Sequence, residues 1–173
     1  MYKLSIIIPL FNEQHRLLYN LTILEKFLKK KSKKDIEIIF INDGSYDSTN
    51  EIIKNFIHKN KKNCKFGYIS YKNNIGKGFA VKKGILASKN YWILVCDADM
   101  SVSPKQFDKW FKNNLIQKKD EAYFGSRVHK QSNVKALFVR KIIGFLFNIL
   151  LSLLFNIKLF DTQCGFKVFN SHY

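Results

Sequence analysis

The chain has 173 residues, a formal net charge of +17 and a hydrophobic share of 46%. This length allows one domain with its own core, and the hydrophobic share excludes a disordered chain. The three cysteines, Cys64, Cys96 and Cys164, form no CxxC pair and are odd in number. They argue against a disulfide framework and for a reducing compartment. The amino terminus enters a strand pattern without the features of a signal peptide, so we expect no secretion.

The positive charge comes almost entirely from lysine, with 30 Lys and Arg against 13 Asp and Glu. A basic excess of this size suits a polyanionic partner, such as nucleic acid, an anionic membrane surface or a phosphorylated substrate. Compositional bias is the alternative, because Lys, Asn, Ile and Phe are all abundant. A nucleic-acid-binding protein needs a basic face with interleaved aromatic residues or a recognisable module, and the sequence shows neither.

Short apolar segments alternate with helical patterns, which predicts an α/β fold with a mostly parallel sheet. Strands are predicted at residues 3–9, 36–41, 66–70, 91–96 and 122–125. Helices are predicted at residues 13–30, 48–60 and 77–88, and a fourth begins at Pro104, a residue favoured in the first helical turn. Asp47 or Ser48 is the expected N-cap of the second helix.

The segment from residue 140 to residue 160 is strongly apolar, and Gly144, Asn148, Ser152 and Asn156 recur in it at every fourth position. This spacing predicts a helix with a small, polar stripe, so residues 135–160 form a candidate amphipathic helix at a membrane interface. A buried core helix explains the same pattern. A membrane span is the third interpretation, although the apolar run falls short of the ~20 residues that a span requires.

Four polar segments lie next to the predicted strand ends, at the edge where open α/β sheets bind ligands. They are residues 9–13, 42–45, 74–78 and 97–99. Ordinary turn formation is an alternative explanation for the first two. In the third, Lys77 stands between two glycines at the start of a helix, an arrangement that suits a phosphate group. Its spacing is not that of a Walker A motif.

Asp97 and Asp99 follow directly after the continuously apolar fourth strand. Two carboxylates this close together repel each other unless a cation neutralises them. Hard oxygen ligands, completed by diphosphate oxygens, suit Mg²⁺ or Mn²⁺. Such a metal acts as a Lewis acid on a departing nucleoside diphosphate. The pair therefore predicts a divalent metal site.

The chain contains three arginines, Arg16, Arg127 and Arg140, among many lysines. A planar guanidinium group binds phosphate through two parallel hydrogen bonds, which gives arginine an advantage over lysine at a phosphate site. A surface ion pair is the alternative for each of them.

In chain order, the segments SIIIPLFNE, INDGSYDST, NNIGKGFAVKKGI, LVCDADMS, GSR and DTQCGFKVF resemble glycosyltransferase family 2, which has the GT-A (Rossmann-like) fold. The resemblance covers nearly the whole chain. The last two segments are most similar to the polyprenyl-phosphate hexosyltransferase branch, above all to the dolichyl-phosphate β-glucosyltransferases. The dolichyl-phosphate mannosyltransferases are near neighbours. The resemblance implies a single catalytic domain over residues 1–173 that is shortened at its C-terminal side relative to the family.

The resemblance also implies roles for individual residues. Those expected at the nucleotide-sugar are Pro9, Phe11, Glu13, Asp43, Lys77 and Asp97. The implied metal ligands are Asp99 and Asp97, for Mg²⁺ or Mn²⁺. The implied catalytic set is Asp99, Arg127 and Arg140, and the acceptor phosphate is assigned to Arg127, Arg140 and Lys167. Asn42 departs from the aspartate that is more common in the family.

The implied activity is the inverting transfer of a hexose, glucose from UDP-glucose, to a polyprenyl or dolichyl phosphate at a membrane surface. The expected location is the cytoplasmic face of the ER membrane in a eukaryote, or of the inner membrane in a bacterium. A second chain or a membrane segment is a candidate for completing the acceptor site. The acceptor is already largely anionic near neutral pH, so no general base is needed. The alternatives are a glycan acceptor and a non-catalytic remnant that still binds a nucleotide-sugar.

Overall fold

The computed structural model describes residues 2–32, 35–116, 122–126 and 164–171. Over these residues the chain forms a six-stranded sheet and four helices. The strands are β1 (Leu4–Leu10), β2 (Ile36–Asp43), β3 (Lys65–Tyr71), β4 (Trp92–Val95), β5 (Ala122–Phe124) and β6 (Lys167–Asn170). The helices are α1 (Gln14–Leu28), α2 (Thr49–Asn60), α3 (Lys77–Ala87) and α4 (Lys105–Lys112).

The strand order across the sheet is β3-β2-β1-β4-β6-β5. Strands β1 to β4 pair in parallel, and β6 runs antiparallel to its neighbours β4 and β5. The predicted mostly parallel sheet is therefore confirmed, and the predicted elements differ from the observed ones by one or two residues at their ends. Strand β6 was not predicted, because its four residues give little local signal and its position depends on pairing with β4.

The sheet buries both of its faces, as its parallel strands require. Along β1, Ile6 and Ile8 belong to one core cluster with α1, α2 and α4, whereas Ile7 belongs to a second cluster with Ala80 of α3. Helix α3 lies so close to the sheet that a methyl group on Gly84 would overlap Ile7 and come within 2.8 Å of the Ile41 side chain. This close approach fixes the start of α3 relative to the ends of β1 and β2.

The register brings the carboxyl ends of the parallel strands to one edge of the sheet. Leu10 stands opposite Asn42, and Asn42 in turn stands opposite Ser70. Strand β4 is shorter and ends opposite Ile7. The loops that follow β1, β2, β3 and β4 therefore lie side by side, and all four polar segments identified in the sequence lie in these loops or in the strand and helix ends next to them.

Several exposed lysines lie at the opposite edge of the sheet, in the connections that follow α1, α2 and α3. They include Lys29, Lys30, Lys61, Lys62 and Lys89. A seven-residue strand such as β1 is about 20 Å long, which exceeds the screening length of ~8 Å at physiological salt. These lysines therefore contribute little to the electrostatic potential at the carboxyl edge.

A buried polar cluster closes this amino edge. Ser5 and Glu37 are almost fully buried, and the Ser5 hydroxyl donates to the Glu37 carboxylate at 2.6 Å. Glu37 also accepts a hydrogen bond from the Lys89 backbone N–H at 3.0 Å, and Ser5 accepts one from the Asn90 N–H at 3.2 Å. The cluster ties β1 and β2 to the connection between α3 and β4.

The predicted helix at residues 135–160 lies outside the described residues. Among the helices in the described part of the chain, none is long and apolar enough to cross a bilayer.

Candidate active site

A cleft of about 330 Å³ opens at the carboxyl edge of the sheet. The structure brings together in its walls seven residues to which the sequence assigned a role: Pro9, Phe11, Glu13, Asp43, Lys77, Asp97 and Asp99. Five further residues line it without having been assigned one: Leu10, Arg16, Asn74, Gly76 and Ala98. The clustering supports a shared site, while the role of each residue in binding stays a prediction.

Asp43, at the end of β2, is 2% exposed and holds the loop that precedes α3. Its Oδ1 atom accepts a hydrogen bond from the Ile75 N–H at 2.9 Å. Its Oδ2 atom accepts from the Gly76 N–H at 2.9 Å and from the Asn74 side-chain amide at 3.0 Å. A carboxylate offers about four acceptor positions, so these bonds leave about one for a ligand. Asp43 thus shapes the wall of the cleft besides facing it.

The Asp43 carboxylate also affects the pKa of Tyr71, the last residue of β3. Burial and the nearby negative charge of Asp43 raise the pKa of the Tyr71 hydroxyl to about 12. Tyr71 therefore stays neutral throughout the physiological range, and the buried charge of Asp43 is balanced by N–H groups of the loop.

The backbone conformation at residue 76 explains why a glycine precedes α3. Gly76 is the N-cap residue of the helix and has a φ of 107°, in the region that other residues rarely adopt. This conformation turns the chain so that the amino terminus of α3 borders the cleft. The positive end of the helix dipole at that terminus favours an anionic ligand group.

Asp47 joins the starts of two helices. Its Oδ1 atom accepts a hydrogen bond from the Thr49 N–H at 2.9 Å, and its Oδ2 atom accepts from the Gln14 N–H at 3.1 Å. Ser48, one of the two predicted N-cap residues, occupies the N-cap position of α2, but its side chain makes no capping hydrogen bond. Burial opposes ionisation of Asp47, but the hydrogen bonds from Thr49 and Gln14 outweigh it and lower the pKa of the carboxyl group.

Further hydrogen bonds attach the loop after β1 to the loop after β2. The Asn12 N–H donates to the Ser45 hydroxyl at 3.0 Å, and the Glu13 N–H donates to the Thr49 hydroxyl at 2.8 Å. These bonds place Phe11 at the mouth of the cleft, where it is 41% exposed and meets Tyr46 edge to face with ring centroids 6.1 Å apart. An accessible aromatic ring of this kind provides a stacking surface for a nucleotide base.

Arg16, one helical turn along α1, pairs with Glu13 across the cleft wall. Its Nη2 atom donates to Glu13 Oε1 at 2.6 Å, and its Nε atom contacts the other oxygen. The hydrogen bond to Glu13 raises the pKa of the guanidinium group against the effect of burial, and the charges of Asp97 and Asp99 add to the rise. No contact with Glu13 was predicted for Arg16, which the sequence marked only as one of three arginines. Its position three residues after Glu13 on a predicted helix would have indicated this pair.

Asp97 and Asp99 stand at the end of β4, and both line the cleft. Asp97 Oδ1 accepts a hydrogen bond from the Lys77 ammonium group at 2.5 Å, and Asp99 Oδ1 accepts one from the Ser101 N–H at 2.9 Å. The two side chains are therefore held by different partners, one from α3 and one from the turn that follows β4.

The charge of the cleft fits a divalent cation. Its walls carry four carboxylates, on Glu13, Asp43, Asp97 and Asp99, against the two cationic side chains of Arg16 and Lys77, so their formal net charge is −2 in a protein of +17. Within the described residues, His, Cys, Asp and Glu form no group of three that would hold a metal alone. A metal bound by Asp97 and Asp99 would need further oxygens, which a diphosphate and water supply.

Burial separates Cys96 from this chemistry. The residue precedes Asp97 but is 1% exposed, and its thiol contacts Met100 Sδ at 3.7 Å. Burial, together with the nearby charges of Asp97 and Asp99, raises the pKa of the thiol well above its usual range. Cys96 therefore remains a protonated core residue.

The described C-terminal segment pairs with β4 through β6. Lys167 pairs with Val95 at the end of β4, but it is not one of the residues that line the cleft, and its ammonium group lies 5.5 Å from the centre of the Phe124 ring. Arg127 and Arg140 lie outside the described residues. The structure thus brings together the predicted donor-side residues, while the predicted acceptor set of Arg127, Arg140 and Lys167 stays a prediction.

Comparison with known proteins now identifies the family. The model of the family described as "Glycosyl transferase family 2" matches residues 5–172. The chain belongs to this family. Glycosyl transferase family 2 is the family that the sequence motifs predicted.

One curated relative, the dolichyl-phosphate beta-glucosyltransferase of Dictyostelium discoideum, is 40% identical over 175 residues. The alignment covers 96% of this chain and 53% of the relative. The chain therefore spans about half the length of the curated relatives it matches.

Solved structures of other proteins share the fold. A mannosyltransferase from Pyrobaculum calidifontis, in complex with GDP-Man and Mn²⁺, has a TM-score of 0.62 at 14% identity, over 72% of this chain and 35% of that one. TarS 1–349 of S. aureus, in complex with UDP, has a TM-score of 0.63 at 16% identity, over 98% of this chain and 47% of that one. These likenesses confirm the predicted GT-A fold.

Proposed function

We propose that this chain forms the donor-binding part of an inverting glycosyltransferase that transfers glucose from UDP-glucose to dolichyl phosphate or a related polyprenyl phosphate. One observation carries the proposal. Asp97 and Asp99 stand in a cleft of net negative charge beside Lys77, in a chain that is 40% identical over most of its length to a dolichyl-phosphate beta-glucosyltransferase.

The geometry of the cleft supports the donor side of the proposal. Phe11 offers an aromatic face for the base, and Asp43 retains about one acceptor position for a ligand N–H or hydroxyl group. Lys77 and the amino terminus of α3 lie where a diphosphate would gain from positive charge. Asp99 and Asp97 are suited to hold Mg²⁺ or Mn²⁺, which when bound neutralises the diphosphate leaving group. The mannosyltransferase solved with GDP-Man and Mn²⁺ supports a divalent ion in this fold.

The reaction requires little proton transfer. An oxygen of the acceptor phosphate attacks the anomeric carbon, and the bond from that carbon to the diphosphate breaks, so that UDP leaves with the electron pair. The second pKa of a phosphate monoester is about 6, so the acceptor is already largely dianionic near neutral pH. The remaining requirements are the alignment of the two substrates and the neutralisation of their phosphates. We assign acceptor binding to Arg127 and Arg140 with support from Lys167.

The proposed lipid acceptor implies that the protein acts at a membrane. We propose that the full-length protein acts at the cytoplasmic face of the ER membrane, or of the inner membrane if it is bacterial. We also propose that residues 135–160 contact the lipid surface. A second chain or a further membrane segment is a candidate for completing the acceptor site, because the curated relatives are about twice as long.

The test is a transfer assay on the full-length protein in membranes, with a panel of sugar nucleotides, Mn²⁺ and dolichyl phosphate. We expect UDP-glucose to be used and Asp99→Asn to lose most of the turnover. Glu51→Gln, a matched change at an exposed carboxylate of α2, should leave it unchanged. Equal turnover by wild type and Asp99→Asn would reject the metal assignment. Transfer to a glycan, but not to dolichyl phosphate, would reject the acceptor.

A further inference from the structure

Gly165 lies directly against the carboxylate of Asp97. A methyl group built on Gly165 would overlap Asp97, with its Cγ and both of its oxygens as the nearest atoms. Gly165 does not have the positive φ of Gly44 and Gly76, so its backbone conformation is open to other residues. The requirement for glycine at this position therefore comes from space beside Asp97 and not from the backbone.

A second group also contacts the Asp97 carboxylate. Lys77 Nζ lies 2.5 Å from Asp97 Oδ1. The carboxylate is thus in contact with an ammonium group from the start of α3 and leaves no room for a side chain on Gly165. A side chain at residue 165 would push the carboxylate out of this position.

The backbones on both sides have little freedom to move apart. Strand β4 pairs with β6 immediately beyond these residues, where Val95 stands opposite Lys167. Phe166 is 2% exposed, and its carbonyl accepts a hydrogen bond from the Gly125 N–H at 2.9 Å. Because the residues around it are tightly packed, the overlap caused by a methyl group at residue 165 is relieved most easily by rotation of the Asp97 side chain.

We propose that Gly165 is a positioning residue for donor binding, which acts by leaving room for the Asp97 carboxylate to face the cleft and pair with Lys77. The inference rests on the proposed function, since it assigns a purpose to the orientation of Asp97. It also links the C-terminal segment, which the sequence associates with the acceptor, to the donor side of the site.

The first test measures UDP-glucose binding in Mn²⁺ by calorimetry for the full-length protein and for Gly165→Ala. We expect the affinity to fall about tenfold or more, as for the loss of a group that orients a metal ligand. Gly67→Ala is the matched control, because its methyl group would lie against the Ile39 side chain at 3.3 Å and Gly67 is not among the residues that line the cleft. It should leave the affinity unchanged. Wild-type affinity in Gly165→Ala would overturn the proposal.

The second test is a double-mutant cycle on thermal stability, which needs no donor. Asp97→Ala removes the atoms that the new methyl group would overlap. We therefore expect Gly165→Ala to lower Tm in the wild-type background, or to prevent folding there, and to have little effect in the Asp97→Ala background. An equal loss of stability in both backgrounds would overturn the proposal.

The two tests also separate this inference from the proposed function. If the wild type fails to bind any sugar nucleotide, the proposed function is wrong, while the stability cycle still decides whether Gly165 makes room for Asp97. A crystal structure of Gly165→Ala also tests whether Gly165 makes room for Asp97. We expect the contact between Lys77 and Asp97 to be broken there, and an unchanged 2.5 Å contact would contradict the inference.

Discussion

Replacing Asp43 by asparagine removes the charge that holds the loop at residues 74–76 against the end of β2. An asparagine can keep only one of the two acceptor atoms. The better orientation keeps the oxygen at the Oδ2 position, where it still accepts from Asn74 and Gly76. Its amide nitrogen then faces the Ile75 N–H, which loses its partner.

The cost follows from this one lost bond and the lost charge. A hydrogen bond to a charged group contributes about 1.5–3 kcal/mol, and the Ile75 N–H group loses this acceptor. We expect the free energy of unfolding to fall by about 2–3 kcal/mol. For a chain of this size, this corresponds to a drop in Tm of roughly 4–12 °C. The donor affinity should fall as well, because Gly76 and Lys77 lose their fixed position.

Urea unfolding of wild type and Asp43→Asn measures the stability change, and calorimetry with UDP-glucose measures the affinity. Glu51→Gln serves as the matched control, since it makes the same chemical change at an exposed carboxylate. If Asp43→Asn unfolded at the same urea concentration as the wild type, the carboxylate would not hold the loop as the structure indicates. The explanation of the cleft wall would then be wrong.

Three further predictions concern regions around the site. Ser5→Ala leaves the Asn90 N–H without its acceptor and Glu37 without one donor, so we expect the free energy of unfolding to fall by about 1–3 kcal/mol in urea titrations while the donor affinity stays unchanged. The folded-state pKa of Asp47 lies below its ordinary value of 3.8, so its ionisation stabilises the fold above that pH and the contribution disappears as the pH falls through the folded-state pKa. The difference in Tm between wild type and Asp47→Asn should therefore narrow from pH 7 to pH 2.5, and a constant difference would contradict this. Gln substitutions at Lys61 and Lys62 should leave the affinity for UDP-glucose unchanged at physiological salt, because these lysines lie at the far edge of the sheet; a severalfold change would refute the screening argument.

The sequence predicted the elements whose buried residues form a recognisable pattern of neighbouring apolar positions. Strands β1, β2 and β4 are buried along their length and mostly apolar because both faces of a parallel sheet are covered, so their predicted positions differ from the observed ones by only one or two residues at each end. The predicted polar segments lie at one edge of the sheet, because parallel strands all end at the same edge. This topological rule, rather than any single motif, made the cleft predictable.

The features that the sequence did not predict depend on contacts between distant residues. Strand β6 exists because β4 and β5 pair with its four residues, and nothing local marks it as a strand. Asp43 was expected at the nucleotide-sugar, but the structure uses most of its acceptor positions for the loop at residues 74–76. The contact between Gly165 and Asp97 joins residues that are far apart in the chain, so no pattern along the sequence contains it.

Asn42, which departs from the more common aspartate of the family, has a structural role in this chain. Its side chain is buried, accepts a hydrogen bond from the Ser45 N–H at 3.0 Å and donates one to the Tyr68 hydroxyl at 3.3 Å. It is not one of the residues that line the cleft. The departure therefore leaves the donor-side residues of the cleft unchanged.

Calorimetry of UDP-glucose binding, with Mn²⁺ and with excess EDTA, tests most directly whether the acidic end of β4 binds the donor through a divalent cation. We predict binding by the wild type in Mn²⁺, a loss of at least about tenfold in EDTA, and a comparable loss for Asp99→Asn in Mn²⁺. Equal affinity in Mn²⁺ and EDTA, with Asp99→Asn indistinguishable from the wild type, would contradict the central role given to this pair of carboxylates.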